Sequence, residues 1–341
     1  MFFASDNGAP VHPAVMAALA GLDGGAVGYG NDAVTHAAQD RIREIFEAPE
    51  AVVHFVSTGT AANSLALACL CPPWGAVFCH EHAHVQIDEC GAPEFFTAGA
   101  KLVGVPGDHG RIAPEALARV LDTTGVHGVH GVQKGALTLT NVTEAGTTYT
   151  CSQIAALAEV AHARGVPVHL DGARFANALA ATNATPADMT WRAGVDVLSL
   201  GGTKNGLMGA EAVVLFDPAK GWELELRRKR AGHLASKMRY LSGQFLPWLE
   251  GGLWLQTAAH ANAMATRLAE GLARLPGVEL MHPVQANILF ARWPVGGHAR
   301  LKAAGAVYYD WDAPPGQEAA RLVCHWATTA DEVDGVLAAL A

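Results

Sequence analysis

Short apolar runs alternate with amphipathic segments along the first 216 residues. The runs at 52–57, 101–106 and 136–142 have the length of strands, whereas 35–48 and 152–165 repeat apolar residues at helical spacing. Strand and helix units repeated in this order predict a mostly parallel, doubly wound sheet with helices on both faces. We therefore expect an α/β fold.

The pattern changes after Phe216. Two long helical stretches come first, then shorter elements and a final helix, at residues 237–249, 252–275, 278–283, 286–293, 306–311, 320–326 and 331–341. This change predicts two domains. We expect an N-terminal arm and a large domain over residues 1–246, and a small C-terminal α/β domain over residues 247–341.

Two strands of the predicted large sheet end in an ionisable residue. Asp171 follows VPVHL and Lys204 follows VDVLSL, and their separation of 33 positions fits one helix and one strand, which predicts neighbouring strands. Ligands of such sheets bind outside the carboxyl ends of the strands. Asp171 could instead form a salt bridge with Arg174, and Lys204 could be a solvated loop lysine. The glycines around Lys204 favour close approach to a ligand.

This pair of residues fits pyridoxal phosphate (PLP), which needs a lysine, a carboxylate at its pyridine nitrogen, a phosphate cradle and a face-on ring contact. Burial of Lys204 would lower its pKa in the direction that the chemistry requires. The segment from Thr58 to Asn63 joins a strand to a helix N-terminus, so it could bind phosphate, unless Thr58 is an ordinary N-cap. Arg174 could stay free to bind a substrate carboxylate through two hydrogen bonds.

Three alternating histidines, His80, His82 and His84, occur in the segment 76–85. We predict a strand here, with the three imidazoles on one face. The spacing resembles that of zinc ligands, but nothing nearby in the sequence supplies a second ligand set, so we expect no metal. For His84 we favour a position flat against an aromatic ring.

A glycine-rich loop contains GYGNDA at 28–33, which fits the pattern G-x-G-x-x-A. The nucleotide fingerprint needs a strand before it, whereas a predicted helix at 13–22 precedes this loop. We therefore predict a loop with Tyr29 exposed at its tip. A nucleotide-binding dehydrogenase is the alternative from a different class of enzyme.

The composition of the chain indicates which kinds of partner it can bind. Half of the residues are hydrophobic and 16% are charged, so we expect some apolar surface to meet another copy of the chain. The net charge of −9, with basic residues clustered only at 227–230, argues against nucleic acid and membrane partners. The six cysteines lack a framework spacing and predict reduced core thiols of a cytoplasmic protein. Neither a signal-peptide pattern nor a bilayer-spanning apolar run occurs.

Motifs along nearly the whole chain resemble the low-specificity L-threonine aldolase family of fold type I PLP enzymes. They are SDNGAPVHP, STGTAAN, HEHAHVQIDECGA, HLDGARFANA, GGTKNG, RRKRAGHLASKMRYLSGQ and ARLVCHWATT. The combination of DGAR with GGTKNG at this spacing is the specific part. The resemblance implies cleavage of L-threonine, allo-threonine and related β-hydroxy-α-amino acids, such as phenylserine, to glycine and an aldehyde. It also implies a homodimer or homotetramer. A β-eliminating lyase or an aminotransferase on the same fold is the alternative.

The resemblance also implies a role for each matching residue. Lys204 resembles the lysine that binds PLP covalently, Asp171 the partner of the pyridine nitrogen, and His84, five residues before Glu89, the histidine that stacks on the ring. The cofactor-binding set is Thr58, Gly59, Thr60, His84, Asp171, Arg174, Thr203 and Lys204. Residues that match binders of the substrate are Ser5, Tyr29, Arg174 and Arg321, with Tyr29 offered across a dimer interface.

The chain departs from the family pattern in one segment. Many relatives carry a second active-site histidine in an NTHNG-like sequence, whereas this chain reads NVTEAG, with Thr143 and Glu144. The base that takes the proton of the β-hydroxyl group is therefore open among His84, a water that it holds, and Glu144.

Overall fold

The computed structural model describes residues Met1 to Ala341 and contains two sheets. The strands are β1 Val52–Val56, β2 Gly75–His80, β3 Lys101–Val105, β4 Gln133–Thr140, β5 Val168–Gly172, β6 Val197–Gly201, β7 Glu211–Leu215, β8 Glu279–Leu280, β9 Ile288–Pro294, β10 Tyr309–Trp311 and β11 Gln317–Val323. The helices are α1 Pro13–Ala20, α2 Ala33–Ile45, α3 Gly59–Leu70, α4 His84–Ile87, α5 Ala92–Phe96, α6 Pro114–Thr123, α7 Cys151–His162, α8 Phe175–Thr182, α9 Gly221–Arg230, α10 Arg239–Ser242, α11 Phe245–Leu249, α12 Leu253–Leu272, α13 Gly297–Ala303 and α14 Ala330–Leu340.

The large sheet has the order β1-β7-β6-β5-β4-β2-β3. Strands β2 to β6 pair in parallel, and β7 runs antiparallel to both of its neighbours, β6 and β1. The prediction of a mostly parallel α/β sheet is confirmed. Because the parallel strands share one direction, their carboxyl ends lie at one edge of the sheet, where the chain leaves β5 and β6.

Both faces of the large sheet are covered. Along β6, Leu198 and Leu200 belong to the larger buried cluster, whereas Val197 packs into a second cluster with α3 and with Leu224 of α9. Alternate side chains of one strand point to opposite faces, so the two clusters lie on opposite sides of the sheet. The fold is therefore doubly wound.

The small sheet is antiparallel in the order β10-β11-β9-β8 and packs with α12, α13 and α14. The N-terminal arm reaches this part of the molecule. Phe3 is completely buried in the core of the small sheet, its N–H donates to the carbonyl of Val307, and its own carbonyl accepts from the N–H of Val323. The arm is thus fixed between the two sheets before the chain enters α1.

Some predicted elements were wrong in detail. Strand β2 ends at His80, because the ring of His80 accepts the N–H of His82 and closes a turn, and His84 begins α4; the three histidines do not share one strand face. The basic cluster 227–230 forms the last turn of α9, and cations suit that end of a helix dipole. Cys90 is exposed, while Cys69, Cys71, Cys79 and Cys324 are buried.

The predicted helix at 237–249 is divided into α10 and α11. The N–H of Gln244 donates to Leu241, and its side-chain amide donates to the carbonyl of Tyr240. That carbonyl would have accepted the next bond of a continuous helix.

None of the helices combines the length and the apolar character needed to cross a bilayer.

Candidate active site

Asp171 and Lys204 lie at the carboxyl edge of the large sheet, on neighbouring strands as their spacing predicted. Asp171 on β5 is in register with Ser199 on β6, and Lys204 follows β6 in a turn of 3-10 helix at Thr203–Asn205. The glycines of these strand ends are required by packing, because a Cβ at Gly201 would lie 2.5 Å from the carbonyl oxygen of Ala173. The two strand ends can therefore approach each other closely.

One pocket, open to solvent at its mouth, contains both residues. The other predicted site residues that line it are Ser5, Gly59, His84, Arg174 and Arg321. Thr58, Thr60, Thr203 and Tyr29 do not line it. The sequence therefore identified most of the charged groups of this pocket, and the contacts below show how each is held.

Asp171 is buried at the base of the pocket and accepts two hydrogen bonds. Its Oδ1 accepts from the N–H of Ala173 at 3.0 Å, and its Oδ2 accepts from Nδ2 of Asn63 at 2.9 Å. These donors hold the carboxylate in one orientation. No salt bridge joins it to Arg174, so that alternative is wrong. Asn63, on α3, was not predicted to hold Asp171.

Lys204 has no hydrogen-bond or ion-pair partner for its Nζ. Burial is the main cause that lowers its pKa, and the charge of Arg174 acts in the same direction. The turn before it is held by Glu211, whose Oε2 accepts from the N–H of Gly202 at 2.7 Å, and by Thr203, whose Oγ1 accepts from Ala210. Thr203 therefore fixes the turn rather than facing the pocket. Glu211 was not predicted from the sequence.

The N-terminus of α3 opens onto the pocket. Thr58 is the N-cap, because its Oγ1 accepts from the N–H of Ala61 at 3.2 Å. Gly59 lines the pocket, and a Cβ built on it would have no heavy atom within 4 Å. This helix end therefore combines an ordinary cap with free space beside the backbone of Gly59.

His84 lies beside a buried carboxylate. Its Nδ1 is 2.8 Å from Oε1 of Glu89, and the same oxygen accepts from Nδ2 of Asn63 at 2.8 Å. This hydrogen bond is the main cause that raises the pKa of His84; desolvation opposes it, and Asp171 adds to it. The chain of contacts from His84 through Glu89 and Asn63 to Asp171 was not predicted.

Glu144, the residue that departs from the family pattern, lines the pocket close to His84. Its Oε1 accepts from the backbone N–H of His84 at 2.7 Å, and its Oε2 is buried without a partner. Burial, together with the charge of Asp171, raises the pKa of this carboxyl to about 7. Glu144 therefore supports the first residue of α4 through the main chain.

Arg174 is not free, contrary to the expectation. Its Nε and Nη2 donate to the two carboxylate oxygens of Asp6 at 2.6 and 2.8 Å. The guanidinium group of Arg321 makes no hydrogen bond within the chain, and its pKa is lowered by burial and by the charge of Arg174. Ser5 lies beside Asp6 and lines the same end of the pocket. That end therefore presents two guanidinium groups, of which one is shared with Asp6.

Tyr29 stands apart from the pocket of its own chain. Its side chain is exposed, as predicted for the loop tip, and the ammonium group of Lys229 lies 5.2 Å from the centre of its ring. A role for Tyr29 in catalysis therefore requires a site on another copy of the chain.

The residues of the pocket fit PLP. An unpaired lysine Nζ, a fixed carboxylate and an open helix N-terminus are the three groups that the aldehyde, the pyridine nitrogen and the phosphate of this cofactor require. The ring of His84 lines the same pocket.

Comparison with known proteins identifies the family of the chain. Residues 3–293 match the beta-eliminating lyase family. The chain is 41% identical over 327 residues to the low specificity L-threonine aldolase of a Pseudomonas species, covering 96% of this chain and 93% of that protein. It is also 41% identical over 332 residues to the protein of the same name from Pseudomonas aeruginosa, with 97% and 94% covered.

A solved structure is similar over the same extent. The threonine aldolase of Leishmania major superposes with a TM-score of 0.94 at 29% identity, covering 99% of this chain and 98% of that structure. The two sheets, the pocket at the carboxyl edge and these matches agree with one another. The chain belongs to the beta-eliminating lyase family, whose members depend on PLP.

Proposed function

We propose that this protein is a PLP-dependent aldolase that cleaves L-threonine, L-allo-threonine and related β-hydroxy-α-amino acids to glycine and an aldehyde. The observation that carries the proposal is a single pocket in which Lys204 and Asp171 face a pair of arginines, Arg174 and Arg321. The 41% identity to low specificity L-threonine aldolases supports the same activity. We include phenylserine among the substrates because Phe290, Tyr309 and Trp311 also line the pocket.

Each part of PLP has a residue to hold it in this proposal. Lys204 would bind the aldehyde carbon, Asp171 the pyridine nitrogen, the N–H groups at Gly59 and Thr60 the phosphate, and the ring of His84 the face of the cofactor. Bound in this way, PLP supplies an electron sink that stabilises the negative charge left on the α-carbon when the bond to the β-carbon breaks.

The arginines orient the substrate. Arg321 and the unshared Nη1 of Arg174 would bind the α-carboxylate, with Ser5 beside them. Fixing the carboxylate at one end of the pocket determines which bond of the α-carbon lies perpendicular to the cofactor ring. Orientation of this kind selects the bond that breaks.

We assign the removal of the β-hydroxyl proton to His84. Glu89 accepts from Nδ1–H, which leaves the lone pair of Nε2 free to take the proton, and the side chain of His84 is 38% exposed. Glu144 is the weaker candidate, because its Oε1 already accepts from the N–H of His84 and its Oε2 is buried. Its side chain instead supports the position of His84.

Incubation of the purified enzyme with L-threonine tests the reaction. Acetaldehyde and glycine in equal amounts support the aldolase. Formation of 2-oxobutyrate and ammonia would identify an eliminating lyase, and turnover only with an added oxo acid would identify an aminotransferase.

Replacement of Lys204 tests the assignment of the site. We expect Lys204→Ala to abolish aldol cleavage and to remove the visible absorbance of the bound cofactor, because no other lysine lines the pocket. Lys220, whose Nζ donates to the carbonyl of Cys69, provides the matched control, and Lys220→Ala should retain both properties. Wild-type turnover in Lys204→Ala would contradict the assignment.

We also propose a homodimer or homotetramer, a cytoplasmic location and a domain boundary near residue 246. The oligomer is supported by large apolar side chains that are exposed in the single chain, among them Trp74, Phe95 and Trp222. Five of the six free cysteines are buried or partly buried, which supports a reducing compartment. Sedimentation of the purified protein measures the number of subunits.

A further inference from the structure

The guanidinium group of Arg174 is fixed by a residue that the sequence did not connect to it. Asp6 of the N-terminal arm binds Nε and Nη2 at 2.6 and 2.8 Å, although 168 positions separate the two residues. The side chains are 10% and 1% exposed, so this is a buried, two-pronged ion pair. Such pairs constrain direction as well as distance.

The ion pair leaves a defined part of Arg174 available. Nη1 has no partner within the chain and is not buried, and Arg174 lines the pocket. Because the guanidinium group is planar, fixing Nε and Nη2 also fixes the direction of Nη1. The neighbours of Asp6 in sequence, Ser5 and Asn7, line the pocket as well.

Asp6 is itself held from the small domain. Asn287 Nδ2 donates to Oδ2 of Asp6 at 3.0 Å and to the carbonyl of Cys324 at 2.8 Å. Burial tends to raise the pKa of Asp6, but Arg174, Lys204 and Asn287 together lower it, so the carboxylate stays ionised. The arm, the large domain and the small domain therefore meet at this carboxylate.

We propose that Asp6 is a positioning residue that aims Nη1 of Arg174 at the α-carboxylate of the substrate. The inference rests on the proposed function, since it assigns a task to one group of that same site. Asp6 does not touch the substrate carboxylate, because two carboxylates would repel each other. It acts through the orientation of Arg174.

Two other roles for Asp6 predict different results. If Asp6 only ties the arm to the body of the protein, its loss should lower stability without affecting recognition of the carboxylate. If Asp6 competes with the substrate for Arg174, its loss should tighten binding. A positioning role predicts weaker binding that is confined to ligands with a carboxylate.

Replacement of Asp6 by asparagine keeps the shape and removes the charge. We expect Asp6→Asn to raise the KM for L-threonine about tenfold with a smaller change in kcat, because the guanidinium loses a charge-assisted pair that fixed it before binding. Calorimetric titration of the holoenzyme with glycine should show the same loss of affinity. Titration with methylamine, which lacks the carboxylate, should be unchanged.

A control variant separates positioning from anchoring of the arm. Phe3 anchors the arm in the small-domain core and does not touch Arg174. Phe3→Leu should lower the unfolding temperature while the affinity for glycine stays at the wild-type value. Loss of carboxylate recognition in Phe3→Leu would overturn the proposal, because any loosening of the arm would then suffice.

The double variant gives a second test. Arg174→Ala leaves Asp6 as a carboxylate without its arginine beside the substrate, so it should weaken glycine binding more than Asp6→Asn does. Adding Asp6→Asn to Arg174→Ala should recover part of that loss, which shows that the two residues act as a unit.

The proposal is overturned if Asp6→Asn binds glycine as well as or better than wild type, or if methylamine binding falls equally. Because glycine titration does not require cleavage, these results stand even where the enzyme fails to cleave threonine.

Discussion

The hydrogen bond between His84 and Glu89 sets the range of pH in which the imidazole can act as a base. Glu89 raises the pKa of His84 above its ordinary value, so the ring is protonated over a wider range of pH. A protonated ring cannot accept the hydroxyl proton. We therefore expect kcat/KM to fall as the pH decreases through the raised pKa of His84.

Glu89→Gln should move this fall in activity to lower pH by about one unit, because the amide keeps the hydrogen bond to Nδ1 but removes the negative charge. The measurement is the pH profile of kcat/KM for L-threonine. Glu144→Gln is the matched control, since its amide oxygen can still accept from the N–H of His84. If the profile of Glu144→Gln loses its acid side while that of Glu89→Gln is unchanged, Glu144 is the base and our assignment is wrong.

At the scale of single residues, the sequence predicted the functional side chains but not the residues that hold them in place. Asp171 and Lys204 could be found because each follows a buried strand, and adjacent strands bring their ends together. The partners Asn63 and Asp6 lie 108 and 168 positions from the side chains that they hold, Asp171 and Arg174. Such pairings depend on tertiary packing, which no local pattern encodes.

The N-terminus of α3 shows what an element contributes to the site. A side chain at Gly59 would point into open space in the pocket, so glycine is not required there by protein packing. The lack of a side chain at Gly59 has an effect only if a ligand approaches the backbone there. This makes Gly59 a test of the phosphate site that does not depend on catalysis.

We expect Gly59→Ala to leave the stability of the cofactor-free protein unchanged or slightly increased and to weaken PLP binding about tenfold, because the methyl group holds the phosphate away from the N–H groups. Urea unfolding and titration with PLP measure the two effects. Gly24→Ala, in a loop with equally free space and outside the pocket, should change neither. Equal PLP affinity in Gly59→Ala and wild type would place the phosphate elsewhere.

The elements themselves were predictable to different degrees. Strands β2, β4, β5 and β6 follow the apolar pattern, because burial between helices leaves little choice of residue in a strand. The segment after β2 did not, because the ring of His80 accepts a hydrogen bond from the N–H of His82 and the strand ends there. Side-chain bonds to the main chain override periodicity in this way, as at Gln244.

On the scale of the whole molecule, Tyr29 is the residue that its own chain does not explain. It is exposed, and it is distant enough from the pocket to be absent from its lining, although the family resemblance assigns it to a substrate site. A symmetric dimer would account for this if the loop of one copy reached the pocket of the other. Each active site would then be built from two chains.

Mixing two inactive variants tests this arrangement. Lys204→Ala retains Tyr29 but lacks the lysine, and Tyr29→Ala retains the lysine but lacks the tyrosine. If Tyr29 serves the neighbouring site, a mixed dimer contains one complete site and one site that lacks both residues. Equal amounts of the two chains, unfolded together and refolded, should then recover about a quarter of the wild-type activity, because half of the dimers are mixed and each has one working site. Refolding Lys204→Ala with a Tyr29→Ala, Lys204→Ala chain controls for the procedure and should recover none. If the mixture is no more active than the average of its separate components, Tyr29 does not act across an interface.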